Sequence, residues 1–458
     1  MARIIRQTMI WQEMERELPP GLEEVKVFLA ALSQGDEELV VALEAERGNG
    51  RDEYPVRAMW NLVGTAMFLR RARFSELLAE LRRNSDLARL LGFEEIGPNR
   101  YRLPSSWNVS RLYAKLKEPH YQELLQKVHQ ETVKLLTVEE PGLGKDTAFD
   151  ASDVRSHARP ARKDPEGKEK PSSDPEASWS VKTKRWEDSQ GRQREETKST
   201  FGYKLYAAVD TRVPAVLAVE TKTGKTSDQE MALPMLERAQ KNLGEGRIGT
   251  WSMDKGFDST ENVRGCFERG VAPIVPVRDV PQNLESLPRE DREVPLTSGG
   301  NVVWDRYSGG VYCYERLPNG EVQRRPMIYG GFEASRETHK FRCPLGASAA
   351  GGCAVFGTCA AGTSGAQGRQ IRVPMETDYR RFAPIYPRSK RWKRLYNGRT
   401  AVERINSYLK EVLRLEDHCL RGMAAISVRV LLASITINVR TLVAVRAMKA
   451  QAARDRAA

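Results

Sequence analysis

The sequence predicts an α/β protein: a helical N-terminal domain, then an α/β domain interrupted by a β-rich insertion. Three observations carry this. Apolar residues recur at helical spacing to about residue 140. From residue 147 to Asp254 the pattern runs strand, strand, helix, strand. Further on, "VYCYERLPNGEVQRRPMIY" sets Pro-Asn-Gly between two runs of β-formers, a hairpin signal.

The 458 residues are enough for a sizeable core and two or three domains. The net charge of +12 points to a polyanionic partner, most simply nucleic acid. "MARIIRQTMIWQEMERE" has no apolar run of the secretory kind. The best membrane candidate, "ISVRVLLASITINVR", is interrupted by Arg429 and falls short of the roughly 20 apolar residues a span needs. Six cysteines in so long a chain do not make a disulfide scaffold. A soluble cytoplasmic protein without a membrane partner is expected.

In chain order, residues 1–140 read as the helical domain. "YPVRAMWNLVGTAMFLRRARFSELLAELRRNSDLARLLG" is amphipathic with Gly92 as its stop, and "LPSSWNVSRLYAKL" supplies a proline and serine caps for another helix. Residues 147–264 form the first part of the α/β domain. There "TAFDAS" is an apolar run ending in Asp150, and "FGYKLYAAVD" and "VPAVLAVETKTG" read as neighbouring strands. "SDQEMALPMLERAQKNL" reads as a helix, and "RIGTWSMDKGF" as a strand ending at Asp254. Residues 159–200 are dense in charge and carry prolines, so a flexible, solvent-exposed excursion is expected there. Residues 265–390 are the β-rich insertion, and 391–447 return to helix.

The segment "YNGRTAVERINSYLK" (396–410) has a pattern of its own. At about 100° per residue, Tyr396, Arg399 and Lys410 fall within roughly 40° of Glu403 on one helical stripe about 20 Å long. Val402, Ile405 and Leu409 line the opposite side. Just upstream, "RSKRWKRLYNGR" holds six basic residues, two aromatics and no acid, and Arg391, Trp392, Lys393 and Arg394 are read as nucleic-acid contacts. Carboxylates from distant segments, such as Asp150, Asp254 and Glu403, suit magnesium, a hard ion that prefers oxygen ligands. Two such ions could serve an in-line phosphoryl transfer.

Tyr396-x2-Arg399-x3-Glu403-x6-Lys410 resembles the Tyr-Arg-Glu-Lys signature of bacterial insertion-sequence transposases of the DDE type. "MDKGFDS" resembles that family's second-aspartate motif and "AFDASD" its first-aspartate strand. "SDPEASW" with "FGYKLYAAVD", and the helical "YPVRAMWNLVGTAMF", are similar to its further segments, in the family's order. The resemblance implies a ribonuclease-H-like catalytic core with a β-rich insertion, preceded by a helical N-terminal domain that binds DNA ends. It implies Asp150, Asp254 and Glu403 as catalytic residues and ligands of two Mg²⁺ (or Mn²⁺) ions, and Tyr396, Arg399 and Lys410 as contacts to DNA. It further implies binding of terminal inverted repeats, cleavage and strand transfer into target DNA. A homodimer on DNA in a bacterial cell, associated with the nucleoid, would do this.

Asp150 is followed by Ala-Ser where the family commonly has Gly-Thr, and Asp153 is a rival first ligand. A decayed or domesticated transposase that binds DNA without cutting is therefore the alternative, and a ribonuclease-H-fold nuclease without strand transfer a third. Cys313, Cys343, Cys353 and Cys359 resemble cysteine-bearing inserts of related transposases, where a zinc ribbon is an option. Their gaps of nine and five residues are wider than those of a tight zinc motif, so reduced structural cysteines are the other reading.

Overall fold

The computed structural model describes residues 21–457 except 48–52, 164–166, 189, 191, 282–283, 298–299, 318 and 346–368. The chain divides into two compact units, residues 1–248 with 400–458, and residues 249–399.

The first unit begins with helices α1 (Leu22–Leu32), α2 (Glu37–Arg47), α3 (Val56–Phe68), α4 (Phe74–Leu81) and α5 (Ser85–Leu91). A short hairpin of β1 (Glu95–Gly97) and β2 (Arg100–Tyr101) follows, then α6 (Ser106–Leu116) and α7 (Pro119–Glu139). Helix α3 is the hub, with Trp60, Leu62 and Val63 fully buried and α1, α2, α4, α5 and α6 packed around it. Asp36, also buried, accepts from Trp60 Nε1 at 2.7 Å and from the Arg57 guanidinium at 2.5 Å. A buried carboxylate is tolerated because these donors replace its water. Gly92, the expected stop, ends α5 in the left-handed region at φ 93°, where glycine carries no steric penalty.

Next come β3 (Asp146–Arg155), the two-residue pair β4 (Arg162–Lys163) and β5 (Glu169–Lys170), β6 (Ser178–Glu187), β7 (Gln193–Asp210), β8 (Val216–Thr223) and helix α8 (Ala232–Leu243). Strand β7 is central and antiparallel to its partners. β3 takes one edge of it, while β6 and then β8 follow along the other. From Tyr203 to Asp210 every residue of β7 is buried. At Gly202 a Cβ would lie 2.2 Å from the Val154 carbonyl oxygen, so the ladder closes only around glycine. Asp174, just ahead of β6, accepts from Ser156 Oγ at 2.6 Å and from Tyr203 Oη at 2.7 Å. Burial and this carboxylate together push the Tyr203 phenol well above its usual range.

The stretch 159–200 corrects an expectation. Much of it is a regular antiparallel hairpin, β6 with the first half of β7, paired from Ser178↔Gly202 to Glu187↔Gln193. Its described charges, such as Lys182, Arg194 and Lys198, stand on exposed strand positions, where they need no core.

The second unit opens with β9 (Thr250–Ser252), helix α9 (Thr260–Glu268) and β10 (Ala272–Ile274), a parallel β-α-β step. A four-residue helix, α10 (Arg289–Arg292), leads into the meander β11 (Glu293–Pro295), β12 (Val302–Asp305), β13 (Val311–Arg316) and β14 (Val322–Pro326). The Pro-Asn-Gly hairpin is β13–β14, with Tyr312 opposite Pro326 and Arg316 opposite Val322. A three-stranded sheet of β15 (Ile328–Glu333), β16 (Thr338–Arg342) and β17 (Gln370–Pro374) follows. Val302, Trp304, Phe341, Val373, Phe382 and Tyr386 form one core across these two sheets. Helix α11 (Lys390–Asn397) packs against β9 and β10. The observed divisions at 249 and 400 thus differ from the expected ones at 265 and 391, because β9, α9, β10 and α11 sit with the β-rich part.

The chain returns to the first unit with α12 (Thr400–Ser407), a π-helical turn over Tyr408–Val412, and the 35-residue α13 (Met423–Ala457). Helix α13 packs on α7 and β8. Its buried Asn438 accepts from Val216 N at 2.8 Å and donates to Val216 O at 2.9 Å and to Thr132 Oγ1 at 3.1 Å. Glu176 accepts from Met423 N at 2.9 Å, placing a carboxylate on the exposed N–H groups at the start of that helix. α13 is long and apolar enough to cross a membrane, with hydropathy 1.7, but 89% of that apolar stretch is buried within the protein, as in a core helix. Arg429, taken from sequence as an interruption, is buried and donates to the carbonyls of Leu415 at 2.9 Å and Arg414 at 2.7 Å.

Candidate active site and nucleic-acid face

In the first unit the acidic residues stand on β3 and α12. Asp150 lies mid-strand, opposite Ala207, because β3 continues to Arg155 and does not end where the apolar run does. It is half-buried, and its Oδ1 accepts from Ala151 N at 2.8 Å. Asp153 is opposite Lys204, and three residues from Asp150 it projects from the other face of the strand. Its carboxylate accepts from Ser180 Oγ at 2.7 Å and pairs with Lys182 at 3.2 Å. On that same face Asp228 accepts from Lys204 Nζ at 2.8 Å and Tyr206 Oη at 2.9 Å. Burial, then the Asp228 carboxylate, pushes the Tyr206 phenol well above its usual range. This polar cluster was not read from the sequence. The alternation of Lys204 and Tyr206 along β7 was the signal that could have found it.

Glu403 is exposed on α12, whose other side buries Val402 and Ile405. The helix packs on β3 and β7, so it is seated on the strand of Asp150 and on its partner. Seven residues on, Lys410 donates to the main-chain carbonyl of Asp153 and pairs with Glu416 at 3.5 Å. The segment 396–410 is not the single helix its spacing predicts. Gly398 caps α11, α12 starts at Thr400, and the chain tightens into the π turn from Tyr408. Tyr396 and Arg399 belong to the second unit, and Glu403 and Lys410 to the first.

In the second unit Asp254 follows β9 and caps a short 3₁₀ turn, its Oδ1 accepting from Gly256 N at 2.6 Å. Asp258 of the same motif is structural. It is buried, accepts from Arg278 N at 2.8 Å and is ion-paired with Arg380.

Helix α11 carries the basic run. Ser389 caps it, accepting from Trp392 N at 3.1 Å. Arg391, Lys393 and Arg394 are exposed. Trp392 and Tyr396, one turn apart, stack at 5.0 Å between centroids and 12° between planes. The Arg399 guanidinium lies 5.9 Å from the Tyr396 ring centre. Exposed cations beside a flat aromatic stack can hold phosphates and a base together.

Among the described residues no three His, Cys, Asp or Glu side chains are grouped closely enough to hold a metal ion. Cys313 and Cys343 are half-exposed thiols, while Cys353 and Cys359 lie outside the described residues, so nothing here supports zinc. Asp150, Asp254 and Glu403 still offer only carboxylate oxygens, the donor type that divalent ions such as Mg²⁺ take. A backbone N–H fixes one oxygen of each aspartate.

A mixed α/β chain with carboxylates on a strand and on a neighbouring helix, and a basic aromatic helix besides, is the setting of an enzyme that works on nucleic acid. Residues 142–439 match the transposase DDE domain family, well over half of the chain, and the protein belongs to that family. No curated protein matches it. It is thus a DDE-type transposase, from a family that binds DNA and generally uses divalent metals such as Mg²⁺.

Proposed function

We propose that this chain is an active insertion-sequence transposase. It binds the terminal inverted repeats of its element, cuts the DNA there and joins the freed 3′-hydroxyl to target DNA. One observation carries this reading: α12 presents Glu403 to solvent while packing on β3, the strand of Asp150. Asp150 and Glu403, with Asp254 from the second unit, are the residues that would hold the divalent ions, on a ribonuclease-H-like core. Bound there, two Mg²⁺ or Mn²⁺ ions supply the charge that activates the attacking oxygen and stabilises the leaving one.

The protein's own groups position the DNA. Arg391, Lys393 and Arg394 hold phosphates, Trp392 and Tyr396 offer a face for an unpaired base, and Arg399 and Lys410 neutralise charge beside the carboxylates. Pairing two element ends calls for two copies of the chain, working on the nucleoid of a bacterial cell.

Between Asp150 and Asp153 we favour Asp150 as the first ligand, because Ser180 and Lys182 already engage the Asp153 carboxylate. Ala151 and Ser152, in place of the family's usual Gly-Thr, favour the second reading, a DNA-binding remnant that no longer cuts.

The test is cleavage of labelled DNA bearing the element's own ends, with Mg²⁺, by the parent and by Glu403→Gln. Cutting at the repeat boundary by the parent alone supports the enzyme. Binding by both with cutting by neither supports the remnant.

A further inference from the structure

The hairpin of β6 and the first half of β7 runs beyond the packed part of its sheet. The described side chains of Val181–Trp186 and Gln193–Ser199 are exposed. A two-stranded ribbon with no covered face is marginal by itself, so its residue choices are informative.

The register sorts them. Lys182 stands opposite Lys198, and Trp186 opposite Arg194. By strand alternation these four share one face with Ser180, whose hydroxyl bonds Asp153. The other face carries Trp179 packed on Phe201 at 5.5 Å, Val181, and Thr183 bonded to Thr197 at 3.3 Å. Like charges directly across a ladder destabilise it. Lys182 is partly relieved by Asp153 at 3.2 Å, and Arg194 donates to Asp188 at 3.0 Å.

Between these pairs Glu196 stands on the same face, opposite Lys184. A face that sets two lysines against each other, with an arginine and an indole further along and one acid between, keeps a basic balance that suits a polyanion. The net charge of +12 agrees. From Lys198 to Arg194 the strand covers about 14 Å at roughly 3.4 Å per residue. Each strand of a duplex carries one charge per about 3.4 Å of axis, so this length runs beside about four phosphates of one strand. A two-stranded ribbon also fits the major groove.

We propose that the face of the β6–β7 ribbon bearing Lys182, Trp186, Arg194 and Lys198 is a DNA-binding arm. It grips the phosphates of a duplex without reading sequence, on the side of the sheet that carries the Asp153 side chain. The inference rests on the transposase reading and adds to it a surface outside the Tyr-Arg-Glu-Lys segment.

The test measures affinity against salt for two 40-bp duplexes, one with the element's end and one scrambled. The proteins are the parent, Arg194→Ala, Lys198→Ala and, from the opposite face, Thr197→Ala, each checked by thermal melting. Arg194→Ala and Lys198→Ala should each weaken binding of both duplexes by a similar factor, about three- to tenfold near 0.1 M salt. Each should also flatten the slope of log K against log salt by about 0.9, one phosphate contact. Thr197→Ala should match the parent. Parental slope and affinity in both cation variants would overturn the arm, as would a loss confined to self-association, which would make the ribbon a contact between copies. If the parent cuts DNA while the variants keep its slope, the arm alone is wrong. If the parent binds neither duplex, the transposase reading falls with it.

Discussion

The Lys410 ammonium donates to the main-chain carbonyl of Asp153 and so ties the π turn after α12 to strand β3. A long, mobile side chain is thereby fixed beside the strand that carries Asp150. One member of the signature thus helps to seat the helix that presents another, Glu403.

Asp150 and Asp153 leave opposite faces of β3, so their amides should behave differently. Asp150→Asn should lower DNA cutting by more than the roughly 100-fold typical of losing an outer-shell partner, with unfolding unchanged. Asp153→Asn should cut within about threefold of the parent. It should lose no more than about 1 kcal/mol of stability, because its partner Lys182 is half-exposed. Equal loss of cutting in both would remove the distinction.

The stack of Trp392 on Tyr396 should matter as a surface and not as a hydrogen-bonding group. Tyr396→Ala should weaken binding to an element end with an unpaired terminus by about tenfold, within the roughly 1–3 kcal/mol of one base stacked on an aromatic ring. Tyr396→Phe should bind like the parent. A comparable loss in Tyr396→Phe would assign the role to the hydroxyl.

Asp36→Ala should be among the most damaging changes in the N-terminal helices. It leaves Trp60 Nε1 and Arg57 without their common acceptor inside the bundle. A loss of about 1–3 kcal/mol in urea unfolding is expected, from the buried Trp60 N–H left without an acceptor, since the Arg57 side chain is 37% exposed and can turn to water. A change below about 1 kcal/mol would show that the bundle readmits water there.

His129 is buried between α7, β8 and α13, and burial holds its pKa down to about 4. The native state therefore binds fewer protons than the unfolded one between about pH 6.5 and pH 4. Stability from keeping His129 neutral is complete above the unfolded pKa and is lost as pH falls toward the folded one. The slope from this group should approach about 1.4 kcal/mol per pH unit, and His129→Gln should flatten it. Parallel pH profiles for the two proteins would reject His129 as the source.

Much of the fold was legible because periodicity and punctuation agreed. Gly92 ended a helix, "PNG" turned a hairpin, and the alternating "FGYKLYAAVD" and "VPAVLAVETKTG" paired as β7 and β8. The ribbon was hidden because exposed strand positions tolerate charge, which reads as disorder when no apolar face marks the period. Asp150 was set at a strand end because the apolar run stops there, but edge pairing with β7 carries β3 on through Ala-Ser-Asp-Val. Arg429 concealed the length of α13, since its buried guanidinium is satisfied by two main-chain carbonyls that lie elsewhere in the chain. The separation of Tyr396 and Arg399 from Glu403 and Lys410 depends on where the compact units divide, which spacing along one helix does not encode.

Strand β7 is one uninterrupted ladder, core at one end and solvent ribbon at the other. Its two ends therefore share a single parity. Insertion of one residue near Thr200 would turn Lys198 and Arg194 to the opposite side while Tyr206 and Ala207 stayed in place. In evolution this arm can lengthen or shorten by two residues per strand, but an odd step near its root would invert it.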